Sequence, residues 1–203
     1  NVYTFVNLFR LSLMDTNGLP GSTEVFVGLQ NYYEIFKDRH WWDSVGRAGF
    51  ITFLALTIQN FVALALALFV NRGIRGESAY KVIFFLPPIL SGIVIGLIWE
   101  WIYNGDFGLL NYWLNMVHLG HFSRAWLADP DTALYAVAFI HMWKGFGWGF
   151  VIILAGLQSI DGELYEAAEV DGATWWEKFK SITTPLMIPI FVLVVILTIL
   201  GTM

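Results

Sequence analysis

The sequence predicts an all-α integral membrane protein, a multi-span helical bundle, on three observations. Of its 203 residues 57% are hydrophobic and only 13% charged, against about a quarter charged in an ordinary soluble domain. The apolar residues gather into runs long enough to cross a hydrocarbon core, which takes roughly 20 residues of helix. Tryptophans and tyrosines collect at the ends of those runs, where amphipathic rings favour the membrane interface.

Taken in order, residues 1–13 read as the tail of an earlier span, short and carrying Arg10. Ala48 to Val70 has no charged residue, and Thr52, Thr57, Gln59 and Asn60 are its polar positions, so it reads as a spanning helix. Val82 to Trp99 is likewise uncharged. Its Pro87-Pro88 pair removes two backbone donors, which predicts a kink facing the protein interior, where neighbouring helices or cavity water meet the freed carbonyls. A third span runs from about Ala133 to Leu157 around Lys144, and a fourth begins near Pro185. No strand pattern or internal repeat is present. The chain starts at Asn1 and its last apolar run stops at Met203 without a polar flank, so residues 1–203 are expected to be one membrane domain of a longer protein, lacking a first and a closing span.

Charge fixes the expected orientation. Arg72, Arg75 and Lys81 stand against one acid, Glu77, in the short link 71–81, whereas Arg124 is the one Lys or Arg of the link 104–132. The positive-inside rule makes the first link cytoplasmic and the second external, and alternation makes 158–184 cytoplasmic. The formal net charge of -5 argues against nucleic acid as a partner. With no cysteine, disulfides and thiolate metal sites are excluded. His118 and His121 lie three apart but lack a third ligand, so no metal site is expected.

Between the third and fourth spans, residues 161–185 read as two short helices around a turn. Asp161 caps the first helix with Glu163 in its first turn, and Asp171-Gly172 supplies the break. Thr174 and Glu177 have capping-box spacing for a second helix, whose end Pro185 limits. From pattern alone this is equally an amphipathic pair lying on the membrane surface.

The run Glu166-Ala167-Ala168, then Asp171-Gly172-Ala173, Phe179, Ile182, Pro185 and Pro189, resembles the EAA loop of ABC importer permeases, with Thr184 where that pattern usually has leucine. Gly28-Leu29-Gln30-Asn31-Tyr32, Phe84-Phe85-Leu86-Pro87, Phe107-Gly108-Leu109-Leu110-Asn111 and Leu154 through Ile160 are similar to permeases of the maltose and related sugar importers. The resemblance implies a permease subunit in the bacterial inner membrane. Its loop 161–185 would be a cytoplasmic coupling loop docking in a separate ATPase subunit through Glu166, Ala167, Ala168, Asp171, Gly172, Phe179 and Ile182. It implies as partners that ATPase, a second homologous permease and an extracytoplasmic solute-binding protein. The chain has no G-x-x-x-x-G-K-[ST] loop, so no cofactor is expected here and ATP and magnesium would be bound by the partner. Permeases for glycerol phosphate esters are similar over the same segments.

Candidate solute contacts follow from the spans. His141, Lys144, Gly145 and Trp148 share a helical face, and a basic group in mid-span, costing at least ~3 kcal/mol, should face the bundle interior or water. Lys144 reads either as lining a solute path or as held in a fixed ion pair or carbonyl contact. Gly145 and Gly149 have the spacing of close helix contacts. Trp143 with Gly145 matches a sugar-contact position of the maltose-type permeases, and Ser91 and Gly92 a second one, although Pro88 stands where the maltose permease has an aromatic residue. Two other classes remain: an ion-coupled secondary transporter using Glu100, His141 and Lys144, and a membrane enzyme, for which no nucleophile-base or metal constellation appears.

Overall fold

A computed structural model describes residues 2–16, 19 and 23–202. Asn1 and Met203 lie outside the described residues. The chain divides into two units, residues 1–49 and 50–203.

In the first unit α1 (Val2–Ser12) buries none of its residues and is about 16 Å long. A two-residue antiparallel pair, β1 (Met14–Asp15) and β2 (Val25–Phe26), follows it. Asn31 pins this pair, its side-chain amide donating to the carbonyls of Ser12 and Met14 at 3.0 Å each. Such a pair has no periodicity long enough to read. α2 (Gln30–Lys37) closes the unit.

Helix α3 (Arg39–Val70) starts in the first unit and is 32 residues long. A π-helical turn over Ala55–Gln59 widens it in mid-course. Trp41 and Trp42 lie within its first turns.

The second expected span is a broken one. α4 (Glu77–Ile89) and α5 (Gly92–Ile102) meet at 97°. The bend is displaced from Pro87 and Pro88, which stay helical and buried, to Leu90 and Ser91, both extended. Ser91 caps α5, its Oγ accepting from the Val94 amide at 3.3 Å. The carbonyl freed by the second proline meets a neighbour. Pro88 has no N–H for the Phe84 carbonyl, and that oxygen lies against Gly147, where a Cβ would come within 2.5 Å of it.

After α6 (Leu109–Met116) comes α7 (Pro130–Gln158), 29 residues long. Asp129 caps it, and proline at N1 forfeits no bond the helix could make. α8 (Gly162–Val170) and α9 (Trp175–Thr202) complete the chain. Pro185 does not end a helix: α9 runs through it for 28 residues. A π turn over Phe179–Thr183 displaces the carbonyl that the proline ring would strike, and Thr184 Oγ1 returns a hydrogen bond to the Phe179 carbonyl at 2.9 Å.

α7 is the centre of the second unit. One cluster packs Ala63, Ala67 and Val70 of α3 with Phe150, Ile153, Leu154 and Leu157 of α7 and Met187 and Val194 of α9. A second, nearer the start of α7, gathers Ile95, Trp99, Tyr103 and Ala136. α4 and α5 thus pass from the end of α7 to its beginning.

Gly147 and Gly96 separate packing from propensity. Gly147→Ala must displace a backbone oxygen and the Pro88 ring, and overpacking of this kind costs about 1–3 kcal/mol. Gly96 has nothing within 4 Å of an added Cβ, and alanine gains up to ~1 kcal/mol in helix propensity. Thermal unfolding in detergent is expected to show a lowered midpoint for Gly147→Ala and an unchanged or raised one for Gly96→Ala.

Candidate functional site

In mid-span, α3, α7 and α9 enclose a cavity of about 610 Å³, open on one side. Helical rotation of 100° per residue carries His141, Lys144, Gly145 and Trp148 onto its wall together. Gln59 comes from the end of the π turn in α3, and Val194, Leu197, Thr198 and Gly201 from α9. Gly145 admits Gln59, whose side-chain amide would lie 2.5–2.7 Å from a Cβ there, and Gly149 faces Ala63 at 3.2 Å. These two glycines make the close helix contact that their spacing predicts.

The polar groups of the cavity are incompletely paired. Gln59 is 6% exposed, and among the described residues its Oε1 finds no hydrogen-bond partner, nor does Asn60 Nδ2. Thr198 Oγ1 lies 3.2 Å from Asn60 Oδ1 and 2.8 Å from the Val194 carbonyl. Gln59 was legible as a polar residue in an uncharged span, but no sequence signal places it against Gly145.

Trp143, Ser91 and Gly92 lie elsewhere. Trp143 is two positions, or 200°, from His141 and turns to α5, where its ring meets Trp99 edge-on at 5.4 Å. Ser91 and Gly92 sit exposed at the break between α4 and α5. Trp148, not Trp143, presents its ring beside His141 and Gly145; it also contacts Phe85 edge-on at 5.2 Å. Glu100 is exposed and does not line the cavity. Among the described residues no group of three or more metal-ligating side chains comes together.

At the far end of α7 the helix-turn-helix is built as its local chemistry predicts. The Asp161 carboxylate accepts from the Glu163 amide at 3.0 Å. Thr174 and Glu177 form a reciprocal capping box. Between the helices Gly172 has φ +78, and the Gly172 and Ala173 amides donate to the Glu169 and Ala168 carbonyls at 3.0 and 2.9 Å, a Schellman turn.

Two side-chain contacts fold the helices together: Tyr165 Oη to Thr183 Oγ1 at 2.9 Å, and Lys178 to Glu169 at 2.6 Å. Phe179 stacks on Trp175 at 5.4 Å, and Ile182 is half-buried. Glu166, Ala167, Asp171 and Gly172 face outward, with Ala168 half-buried. Val170 is 88% and Trp176 61% exposed beside them. The loop abuts the link after α3: Arg72 lies over the Trp175 ring at 6.0 Å, and Gln158 donates to Glu77 at 3.1 Å. The link 71–77 and the loop 161–185 therefore occupy the same end of the bundle.

The family model described as binding-protein-dependent transport system inner membrane component matches residues 41–203. The trehalose/maltose transport system permease protein MalF of Thermococcus litoralis is 35% identical over 172 residues, covering 85% of this chain and 58% of that protein. The sulfoquinovosyl glycerol transport system permease protein SmoG of Agrobacterium fabrum is 35% identical over 195 residues, covering 96% and 60%. The chain thus spans about three-fifths of the length of these relatives. Among solved structures, a bacterial ABC transporter involved in import of the acidic polysaccharide alginate superposes with a TM-score of 0.80 at 22% identity, covering 97% of this chain and 66% of that one.

The Lys178–Glu169 contact predicts the pH behaviour of the loop. The hydrogen bond from Lys178, then its charge, holds the Glu169 carboxyl below the ordinary carboxylate range. A depressed folded-state value means the contact contributes above the ordinary carboxylate pKa and is lost as pH falls through the lowered one. At neutral pH Glu169→Gln is expected to speed hydrogen exchange of the 162–178 amides several-fold. The wild-type loop should converge on the variant as pH falls through the lowered Glu169 value, and equal exchange at neutral pH would remove the clasp from the account.

Proposed function

The chain belongs to the family of binding-protein-dependent transport system inner membrane components, and from that premise we propose that it is a permease subunit of an ATP-driven importer, forming part of a carbohydrate's path across the membrane. The mid-span cavity carries this reading. A sugar needs polar partners for its hydroxyls and an apolar surface for its ring face. Gln59, His141, Lys144 and Thr198 offer the first and Trp148 the second, beside the close approach that Gly145 allows. The names of relatives that carry trehalose, maltose and sulfoquinovosyl glycerol support a carbohydrate. We place Trp143, Ser91 and Gly92 on the α5 side of α7, where they hold the shape of the path.

The energy comes from outside the chain, which has no phosphate-binding loop. A partner ATPase subunit binds ATP and magnesium and docks on the loop 161–185, around Glu166, Ala167, Ala168, Asp171 and Gly172. Phe179 and Ile182 back the docking face from α9. A second permease closes the open side of the cavity, and an extracytoplasmic solute-binding protein delivers the solute. The loop and the basic link 71–77 face the cytoplasm.

Two measurements test this. Gly172→Pro cannot adopt φ +78 and removes the amide that closes the Schellman turn, and Glu166→Lys reverses the charge of the docking face. Both are expected to reduce solute-stimulated ATPase activity to its basal level in a complex that still inserts; wild-type stimulation refutes the docking assignment. The absence of cysteine allows clean labelling. Ser78→Cys is expected to react with an impermeant thiol reagent only in inverted vesicles and His121→Cys in intact cells, and the opposite pattern reverses the orientation.

A further inference from the structure

The cavity is lined by a basic side chain with which no acid among the described residues pairs. Lys144, midway along α7 and half-buried, lines it together with Gln59, His141, Trp148 and Thr198. Arg10, Lys81, Arg124 and Lys178 each pair with a carboxylate, whereas Lys144 pairs with none among the described residues. No Asp or Glu lines the cavity. The acids of the spanning helices, Asp43, Glu77, Glu100, Asp131 and Glu177, lie towards helix ends.

A lysine carried into an apolar span is ordinarily met by an acid or a backbone carbonyl. Here its neighbours are a second basic group, His141, and a buried amide with an unpartnered oxygen, Gln59. Among the described residues nothing supplies the counter-charge that a half-buried ammonium favours, and an anion entering the cavity supplies it. We propose that Lys144 selects the solute, which is an anionic carbohydrate or polyol bearing a carboxylate, sulfonate or phosphate. The ammonium holds the anion, Gln59 a neighbouring hydroxyl, and the Trp148 ring the apolar face. This rests on the cavity being the solute path.

The test uses the whole importer, this chain with its partner permease, ATPase and binding protein, in proteoliposomes. Labelled digalacturonate, a sulfonated glucoside, glycerol 3-phosphate and neutral maltose are offered in turn. At least one anionic probe is expected to be taken up and to stimulate ATP hydrolysis, and which one identifies the anionic group. Lys144→Met is expected to lower that uptake about tenfold or more, as loss of a charge-assisted contact implies, while Lys144→Arg keeps most of it. Failure of every anionic probe, or uptake of the anion unchanged in Lys144→Met, overturns the proposal. Trp148→Ala and Gln59→Ala distinguish the two readings. If they abolish uptake and Lys144→Met does not, the path stands and the anion falls; if none of the three alters uptake, the cavity is not the path.

Discussion

α7 is approached closely by three other helices, and it meets each of them at glycine. Gly145 and Gly149 receive Gln59 and Ala63 of α3, Gly147 receives the Phe84 carbonyl and the Pro88 ring of α4, and Gly156 receives Met187 and Ile190 of α9. In lipid, helices gain nothing from hiding apolar surface from one another, so association depends on short-range dispersion and polar contact. Glycine supplies the short range. The same arrangement decides where space remains: beside Gly145 and Gly149, the bulkier His141, Lys144 and Trp148 border the cavity.

What lipid imposes on single segments was legible in the sequence, because it acts through composition alone. The uncharged runs, the small-residue spacing in α7, the Thr174–Glu177 cap and the turn at Gly172 all follow from neighbours within seven residues. The features that were not legible involve a second element. Pro185 stops a helix by local rules, yet the π turn at Phe179–Thr183 and the Thr184 hydroxyl carry α9 through it. Pro87 and Pro88 should kink their own helix. With Gly147 opposite them they stay straight, and the bend moves to Leu90–Ser91.

Trp143 is a different lesson. Family resemblance groups it with Gly145, whereas helical geometry sets it 200° from His141 and against Trp99. The periodicity that assembled His141, Lys144, Gly145 and Trp148 already contained that exclusion. Gln59 was visible only as a polar residue in an apolar span; what makes it part of the cavity is the missing Cβ at Gly145, a relation across 86 positions of sequence that no single-helix pattern encodes.

The continuity of α9 bears on how the two ends of the molecule communicate. Lys178 and Phe179 belong to the loop, and Val194, Leu197 and Thr198 to the cavity wall, on one helix. From Lys178 to Thr198 is about 30 Å at 1.5 Å per residue. Had the helix broken at Pro185, a displacement of the loop would be absorbed at the break; an unbroken helix moves the cavity wall with it. A π turn also lies within that helix at its loop end, over Phe179–Thr183. A π turn holds one residue more than the regular helix and can shift its register locally without unfolding. Loop and cavity wall thus share one unbroken helix, and the opposite wall carries its own π turn, which ends at Gln59.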